Sequence, residues 1–267
     1  MSEPRPVCWV DGRLQPADAP ALRADDSAAH DGRGCYTSVR IRAGAARWPD
    51  RHARRLVRDG CALGLPPADP RRLERAIDEL AHAAFGGGDG VVRLQLSADA
   101  DGALHVVGTA RGLGSDPPRW RAQSAPRPHP GPDGGPPGAK LTNRLALTLA
   151  ADAARADGAD EALLFDRAGR LVEGARSNVI VERANGALGT PPLERGAVAG
   201  LALEVLRERL PALRSHDVSR RGLDAARGVA VVNAVRGARA LVALDAAELG
   251  AESGALAARL AAILNDD

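Results

Sequence analysis

Lysine is almost absent from this chain, and the single lysine is a candidate for chemistry. The 267 residues contain 36 lysines and arginines, of which only Lys140 is a lysine. Aromatic residues fall to 2% while alanine, arginine and glycine abound, so a bias in composition accounts for most of the missing lysines. Arginine cannot replace a lysine whose amine must lose its proton, attack a carbonyl and form an imine. Lys140 is therefore either such an amine or a leftover surface lysine, and its neighbourhood must decide.

The first part of the chain has the pattern of a sheet with helices beside it. Asp11-Gly12 and Asp101-Gly102 each separate two apolar runs, and this dipeptide suits the positive φ angles of a tight hairpin turn. Residues 68–85 place apolar side chains at alternating spacings of four and three, which predicts an amphipathic helix. His82 lies off that apolar stripe, so we expect it to face solvent.

Proline and glycine then dominate residues 111–139, which predicts a connection followed by a long loop just before Lys140. A helix is expected from Thr142, with Leu145, Leu149 and Ala153 on one face. Further on, the sequence predicts two strands around the segment VEGARSN, a helix from Gly200, two apolar strands and a final helix. We expect an N-terminal lobe at 1–114, a connection at 115–139 and a C-terminal lobe at 140–267.

Several classes of function fit the composition poorly. The formal net charge is +2, so no excess of positive charge favours nucleic acid or an anionic membrane as partner. No apolar stretch approaches the roughly 20 residues that span a bilayer, and the start lacks the order of a signal peptide. The three cysteines have neither a disulfide nor a metal-binding spacing. We expect a cytoplasmic protein with reduced cysteines, no metal and a small-molecule partner.

Four ordered segments resemble the fold-type IV family of pyridoxal-phosphate (PLP) enzymes. They are GRGCYTSVR (32–40), RHARRL (51–56), AKLTNRL (139–145) and the block from GADEALLFD through LVEGARSNVIV to TPPL at 190–193. This family contains branched-chain aminotransferases, D-amino-acid aminotransferases and 4-amino-4-deoxychorismate lyases. The resemblance implies an α+β, D-amino-acid aminotransferase-like fold, with a smaller N-terminal α/β lobe, a larger C-terminal lobe and PLP between them. It also implies a homodimer.

The resemblance assigns roles to three charged residues. Lys140 corresponds to the residue that forms the Schiff base with PLP. Glu173 corresponds to the glutamate that bonds the pyridine nitrogen, where a carboxylate keeps the ring able to accept electrons; the alternative is an exposed acid on a hairpin. Arg55 corresponds to the arginine that binds the cofactor phosphate, for which its planar fork is suited. His52 belongs to the same motif as Arg55, and we expect it to have a packing role.

Further cofactor contacts are implied at three places. Asn178 and Ser177 share the motif of Glu173, although both could merely support the turn. Backbone amides of Leu201 and Ala202, at the start of the helix after Gly200, correspond to a phosphate site. A second pair corresponds to Asn233 and Ala234. Aminotransferases of the family commonly have threonine at positions 202 and 234, so the alanines here leave phosphate binding more dependent on amides and Arg55.

The choice of reaction depends mainly on position 37. Aminotransferases of the family usually have glutamate there, whereas Thr37 resembles the lyases, as do the Asn233-Ala234 pair and the run at 143–145. Against this, residues 97–99 lack a T/S-R-G triplet that lyases and D-amino-acid aminotransferases often carry, so a substrate-carboxylate arginine is missing. Arg40 and Arg176 are candidates to replace it, and either could equally be a surface residue. Tyr36, the only tyrosine, is expected in the substrate pocket.

We therefore predict a PLP-dependent lyase that converts 4-amino-4-deoxychorismate to 4-aminobenzoate and pyruvate in folate biosynthesis. Lys140 would move the proton and Thr37 would assist by hydrogen bonding. One alternative is an aminotransferase acting on D-amino or branched-chain amino acids. Another is a non-catalytic descendant that binds a small molecule. The intact Lys140, Glu173 and Arg55 disfavour that last alternative.

Overall fold

The computed structural model describes residues 5–266, which fold into two compact units that mix helices and sheets. The first unit runs to Asp116 and also contains Ala139–Asn143, and the second contains Pro117–Gly138 and the chain from Arg144 onward. The predicted α+β class is confirmed. Residues 140–143, which the sequence places at the start of the second lobe, lie in the first unit, so Lys140 belongs to that unit.

The first unit is built on a six-stranded antiparallel sheet with the order β2-β1-β6-β5-β3-β4. Its strands are β1 (Val7–Val10), β2 (Arg13–Pro16), β3 (Cys35–Arg42), β4 (Ala45–Ala46), β5 (Gly90–Ala98) and β6 (Leu104–Arg111). Its helices are α1 (Ser27–His30), α2 (Pro49–Ala62) and α3 (Pro70–Phe85). Both predicted hairpins are confirmed, and Asp11 and Gly12 have the positive φ angles that the first turn requires.

One face of this sheet packs on α2 and α3 and forms the core of the first unit. Val39, Leu94 and Ile77 are among its fully buried side chains. The predicted amphipathic stripe of α3 is confirmed, because its apolar positions are buried while His82 is exposed. Since side chains alternate across a strand, Tyr36 and Thr37 project from opposite faces of β3.

The second unit contains a nine-stranded mixed sheet. Its main path is β12-β11-β10-β13-β14-β7-β8-β9, with β15 paired to β14. Its strands are β7 (Arg119–Ser124), β8 (Glu161–Phe165), β9 (Leu171–Gly174), β10 (Asn178–Glu182), β11 (Leu188–Thr190), β12 (Arg214–Ser215), β13 (Gly228–Asn233), β14 (Gly237–Leu244) and β15 (Ala247–Glu248). Its helices are α4 (Leu145–Ala156), α5 (Leu201–Arg209), α6 (Arg220–Asp224) and α7 (Ser253–Asn265), with 3-10 turns at Pro132–Gly134 and Leu193–Arg195.

Two features of the second unit differ from the sequence-based expectation. Strand β7 lies inside the segment predicted to be a connection and pairs in parallel with β14 and β8. Helix α4 forms as expected, but Leu145 and Leu149 are 67% and 53% exposed, while its alanine face packs on the unit. The predicted helix is therefore confirmed, but the face that packs inside this chain is the alanine face and not the face with Leu145 and Leu149. No helix within residues 5–266 is long and apolar enough to cross a membrane.

Candidate active site

The backbone of Lys140 is fixed against the first unit on both sides. Its carbonyl oxygen accepts a hydrogen bond from the Tyr36 amide at 2.9 Å, and its own amide donates to Oδ2 of Asp59 at 2.9 Å. Leu141 forms an isolated antiparallel bridge with Cys35 at the start of β3. The segment that carries the only lysine thus extends the edge of a rigid sheet, which holds its side chain in a defined place.

The amine of Lys140 lies beside the only tyrosine. Nζ is 4.8 Å from the centre of the Tyr36 ring, within the range of a cation–π contact. Tyr36 is 2% exposed, whereas Lys140 is half-buried. The predicted pocket position of Tyr36 and the predicted reactive position of Lys140 are thus brought together, although the role of each stays a prediction.

Thr37 lies on the opposite face of β3, where it bridges two residues of α2. Its Oγ1 is 2.5 Å from Nδ1 of His52 and accepts a hydrogen bond from Nη2 of Arg55. All three side chains are buried. Burial lowers the pKa of His52 well below its ordinary value, and the charges of Arg55, Arg47 and Lys140 lower it further. His52 is therefore neutral near pH 7. We expected a packing role from the sequence, and the structure adds a hydrogen bond with Thr37.

The two arginines proposed for the substrate carboxylate have other partners. Nη2 of Arg40 is 2.5 Å from Oδ2 of Asp89, an ion pair within the first unit. Arg176 is exposed in the second unit and donates to the carbonyl oxygen of Asp160 at 2.7 Å.

An arginine that no sequence motif indicated, Arg93, lies against Tyr36. Cζ of Arg93 is 3.8 Å from the centre of the Tyr36 ring. Arg93 belongs to β5 and pairs with Ser38, which places it on the same face of the sheet as Tyr36. The alternation along residues 92–96 showed that Arg93 is on the polar face, but only the register with β3 shows which side chain it contacts.

In the second unit, Glu173 is a buried carboxylate held by two donors. It lies in β9 and is 3% exposed. The amide of Val198 donates to its Oε2 at 2.9 Å, and Nε2 of His129 is 3.4 Å from its Oε1. Nδ1 of His129 accepts the amide proton of Gly131, so in neutral His129 the ring hydrogen is on Nε2 and points to Glu173. No sequence pattern indicated His129, because it lies in the proline-rich connection.

Asn178 and Ser177 both support the backbone around Glu173. Nδ2 of Asn178 donates to the carbonyl oxygen of Val198 at 2.9 Å. A Cβ at Gly200 would clash with Oδ1 of Asn178, so a larger residue there would displace the Asn178 side chain. Ser177 donates to Oε2 of Glu161 at 2.7 Å, and burial raises the pKa of Glu161 despite this bond. These contacts fit the alternative in which Asn178 and Ser177 support the turn and do not contact the cofactor.

The predicted phosphate contacts of the second unit lie at a helix start and a turn. Helix α5 begins at Leu201 after Gly200, which provides no side-chain cap, and Leu201 and Ala202 are buried. Amides at such a start can bind an anion. Asn233, at the end of β13, uses its Oδ1 to accept the amides of residues 235 and 236. Its side chain therefore shapes the turn that carries Ala234.

The chemical types of these residues match the groups of PLP. The first unit offers one lysine amine beside an aromatic ring and a buried arginine, Arg55. The second offers a helix start without a side-chain cap and the buried carboxylate of Glu173, whose recorded donors are an amide and a histidine. A protonated pyridine nitrogen would complement such a carboxylate, and a phosphate would complement an arginine or a helix start.

Comparisons with known proteins agree with this fit. The family model for amino-transferase class IV matches residues 34–244. A bifunctional aminodeoxychorismate lyase / D-amino acid transaminase from Mycobacterium tuberculosis (strain ATCC 25618 / H37Rv) is 28% identical over 241 residues, which cover 76% of this chain and 78% of that protein.

Solved structures show the same fold at lower identity. A branched-chain aminotransferase from Thermoproteus uzoniensis has a TM-score of 0.85 at 23% identity, covering 98% of this chain and 95% of that one. A PLP-bound hypothetical aminotransferase from Mycobacterium tuberculosis has a TM-score of 0.83 at 21% identity, covering 97% of each chain. The family match extends over most of the sequence and includes Lys140, Glu173 and Arg55. The chain belongs to the class IV aminotransferases and is a PLP-dependent enzyme.

Proposed function

We propose that the protein is a PLP-dependent lyase that converts 4-amino-4-deoxychorismate to 4-aminobenzoate and pyruvate. The name of the Mycobacterium tuberculosis relative, which includes this activity, supports the proposal. The observation that carries it is Thr37, whose hydroxyl bonds His52 and Arg55 where aminotransferases of the family usually have glutamate. The proposal places the enzyme in folate biosynthesis.

The reason is electrostatic. A glutamate at position 37 would bring a negative charge to Arg55, whereas the hydroxyl of Thr37 brings none. With threonine in place of that glutamate, the first unit has one negative charge fewer near its reactive lysine. Aminodeoxychorismate has two carboxylates and simple amino acids such as alanine have one, so the missing negative charge favours the lyase substrate.

Each polar residue has a separate part in the proposed reaction. When bound, PLP supplies an acceptor for the electron pair left by the broken bond to hydrogen. Lys140 removes the proton from the substrate carbon that bears the amino group. The C–O bond to the pyruvyl ether then breaks, the ring becomes aromatic, and the released enol takes up a proton to give pyruvate. Glu173 holds the pyridine nitrogen protonated, and Arg55 and the start of α5 hold the phosphate.

The test is turnover without a second substrate. Elimination needs no keto acid, whereas transamination stops after half a cycle unless one is supplied. Given aminodeoxychorismate alone, the enzyme should release 4-aminobenzoate and pyruvate in equal amounts over many turnovers. The Lys140→Arg variant is the control for any uncatalysed decay of the substrate. An enzyme that is inert to aminodeoxychorismate but cycles rapidly between an amino acid and a keto acid would overturn the proposal.

D-amino-acid transamination is the second candidate function, because the relative's name includes it. In that reaction Lys140 would carry a proton between the α-carbon and a carbon of the cofactor. Branched-chain substrates have weaker support, since the branched-chain aminotransferase structures are similar in fold at 23% identity or less. Rates with D-alanine, D-glutamate and leucine, each with a keto acid, would rank these alternatives.

The role of Thr37 has its own test. Thr37→Val keeps the shape but removes the hydroxyl, so His52 and Arg55 lose their shared partner. We expect pyruvate release to slow by about tenfold, the size of one lost buried hydrogen bond. Thr37→Ser retains the hydroxyl and should remain close to wild type. A wild-type rate in Thr37→Val together with a loss in Thr37→Ser would show that the methyl group, and not the hydroxyl, is required.

We also propose a cytoplasmic homodimer, as the family resemblance implies. The exposure of Leu145 and Leu149, one turn apart on α4, is consistent with an apolar surface that a second copy would cover. Light scattering should give twice the mass of one chain. A monomer at the concentration used for the activity assay would contradict this proposal.

A further inference from the structure

Helix α2 contains a buried acid that bonds the backbone of the lysine segment. The side chain of Asp59 is 1% exposed and lies in the last turn of the helix. Its Oδ2 accepts the amide proton of Lys140 at 2.9 Å, and its Oδ1 accepts from Nε of Arg58 at 3.0 Å. Desolvation offsets much of the attraction in a buried ion pair, so stability alone is a weak reason for an acid at this position.

The bond to Asp59 takes the place of a bond in a β-ladder. Leu141 and Cys35 form an isolated antiparallel bridge, so Lys140 lies opposite Tyr36. Opposite residues in a hydrogen-bonded antiparallel pair donate their amides to each other's carbonyl oxygens. The amide of Tyr36 donates to the carbonyl oxygen of Lys140, but the amide of Lys140 donates to Asp59. The lysine is therefore held jointly by strand β3 and by helix α2.

These bonds fix the point from which the lysine side chain starts. Lysine has a flexible four-carbon stem, so the backbone determines mainly where the stem begins and in which direction it leaves. That direction depends on the two peptide planes that meet at the Cα atom. Asp59 holds the plane that contains the Lys140 amide, and Tyr36 holds the plane that contains its carbonyl group. Both planes are therefore fixed through the backbone, without a bond to the amine.

We propose that Asp59 is a positioning residue for Lys140, and that its carboxylate sets the direction in which the lysine side chain leaves the backbone. An amine that attacks a carbonyl carbon must meet it at a narrow range of distances and angles, and small misplacements slow the reaction strongly. The inference rests on the proposed role of Lys140 as the amine that forms the imine with PLP. It holds for either candidate reaction, because both use the same amine.

The composition of the chain makes this bond directly observable by NMR. Lys140 is the only lysine and Tyr36 the only tyrosine, so isotope labelling of the nitrogen in either residue type gives a single backbone amide signal. Hydrogen exchange at the two amides is measured on PLP-loaded wild type, Asp59→Ala, Asp59→Asn and Asp50→Ala. Asp50 is the matched control, an exposed acid in the first turn of the same helix.

Asp59→Ala should accelerate exchange at Lys140 by about 10- to 100-fold, as expected for the loss of a charge-assisted hydrogen bond, and should change exchange at Tyr36 much less. Asp59→Asn keeps the size and an acceptor oxygen without the charge, so it should show a smaller acceleration at Lys140 even if Asp59→Ala does not fold. Asp50→Ala should match wild type. Equal acceleration at both amides, or none at Lys140, would overturn the proposal.

A second measurement tests whether the bond positions the amine. PLP is added to each protein after removal of its cofactor, and borohydride stops the reaction at set times so that the adduct at Lys140 can be counted. Asp59→Ala should form the adduct about 10- to 100-fold more slowly than wild type, and Asp50→Ala at the wild-type rate. A wild-type rate in Asp59→Ala would refute the positioning role. An absence of adduct in wild type would instead overturn the proposed role of Lys140, while the exchange data would still report the bond to Asp59.

Discussion

The cluster around Lys140 in the first unit and the cluster around Glu173 in the second have opposite charge. The Lys140 amine and the Arg93 guanidinium each contact the Tyr36 ring, and Arg55 bonds the hydroxyl of Thr37. Glu173 in turn is held by an amide and a histidine. The basic groups of the first unit would complement a phosphate, and the carboxylate of Glu173 in the second would complement a protonated ring nitrogen.

The largest effect should come from removing the one amine. Lys140→Arg keeps the positive charge of the first cluster but loses the group that forms an imine and transfers a proton. We expect turnover to fall by about 10³-fold or more, within the range of general acid–base catalysis, and the borohydride-reducible adduct to disappear. Arg13→Lys, which adds a lysine at an exposed position, should leave turnover unchanged. Full turnover in Lys140→Arg would show that the charge alone suffices, and a stable adduct in this variant would show that another amine forms the imine.

The next test separates the two clusters by what each contributes. Glu173→Gln should lower kcat by about 100-fold with little change in PLP affinity, because the ring-nitrogen contact strengthens as charge develops. Arg55→Ala should mainly weaken PLP affinity, by about 10- to 100-fold, because the phosphate contact is present throughout. Arg54→Ala, an exposed neighbour on α2, is the control for Arg55. If Glu173→Gln and Arg55→Ala both changed only PLP affinity, the proposed separate roles of the two residues would be wrong.

A smaller effect is expected at His129, which we infer to be a positioning residue for Glu173. His129→Phe removes the Nε2 donor and should lower kcat by about tenfold, while His129→Gln keeps a donor and should recover part of the loss. Nitrogen NMR of the protein without cofactor provides a readout independent of activity. It should show hydrogen on Nε2 and an acceptor at Nδ1. The opposite tautomer would contradict the proposed bond.

The smallest effect concerns the second buried acid, Glu161. Burial raises its pKa, so the folded protein retains this proton to a higher pH than the unfolded chain does. Stability from this group is complete below the unfolded pKa and is lost as pH rises toward the folded value. Urea unfolding of Glu161→Gln should therefore lose less stability than wild type from pH 4.5 upward. Glu194→Gln, at an exposed position, should follow wild type, and parallel curves for all three would refute the shift.

Local sequence patterns predicted much of the fold and, among the candidate site residues, pointed to Lys140. The hairpins, α3 and the strands that flank Glu173 follow from turn chemistry and hydrophobic period, and Lys140 stands out by residue type alone. Strand β7 was missed because it is short, lies between proline-rich segments and depends on parallel pairing with distant strands. Propensity does not encode such pairing.

The remaining site residues depend on contacts between segments that are distant in sequence. Arg93 meets Tyr36 only through the register of β5 with β3, and His129 meets Glu173 only through the path of a proline-rich loop. With 35 arginines in the chain, residue type alone does not show which of them contacts Tyr36. The structure shows this contact for Arg93 and an ion pair with Asp89 for Arg40.

The three cysteines give the protein a ready attachment point for a fluorescent reporter. Cys8 and Cys35 are buried, and burial raises the pKa of the Cys35 thiol to about 12, so it has almost no reactive thiolate at neutral pH. Cys61 is exposed near the end of α2, two residues after Asp59, whose carboxylate bonds the Lys140 amide. A maleimide dye should therefore label Cys61 selectively without mutagenesis. Its emission would follow ligand binding in real time from the helix that carries Arg55.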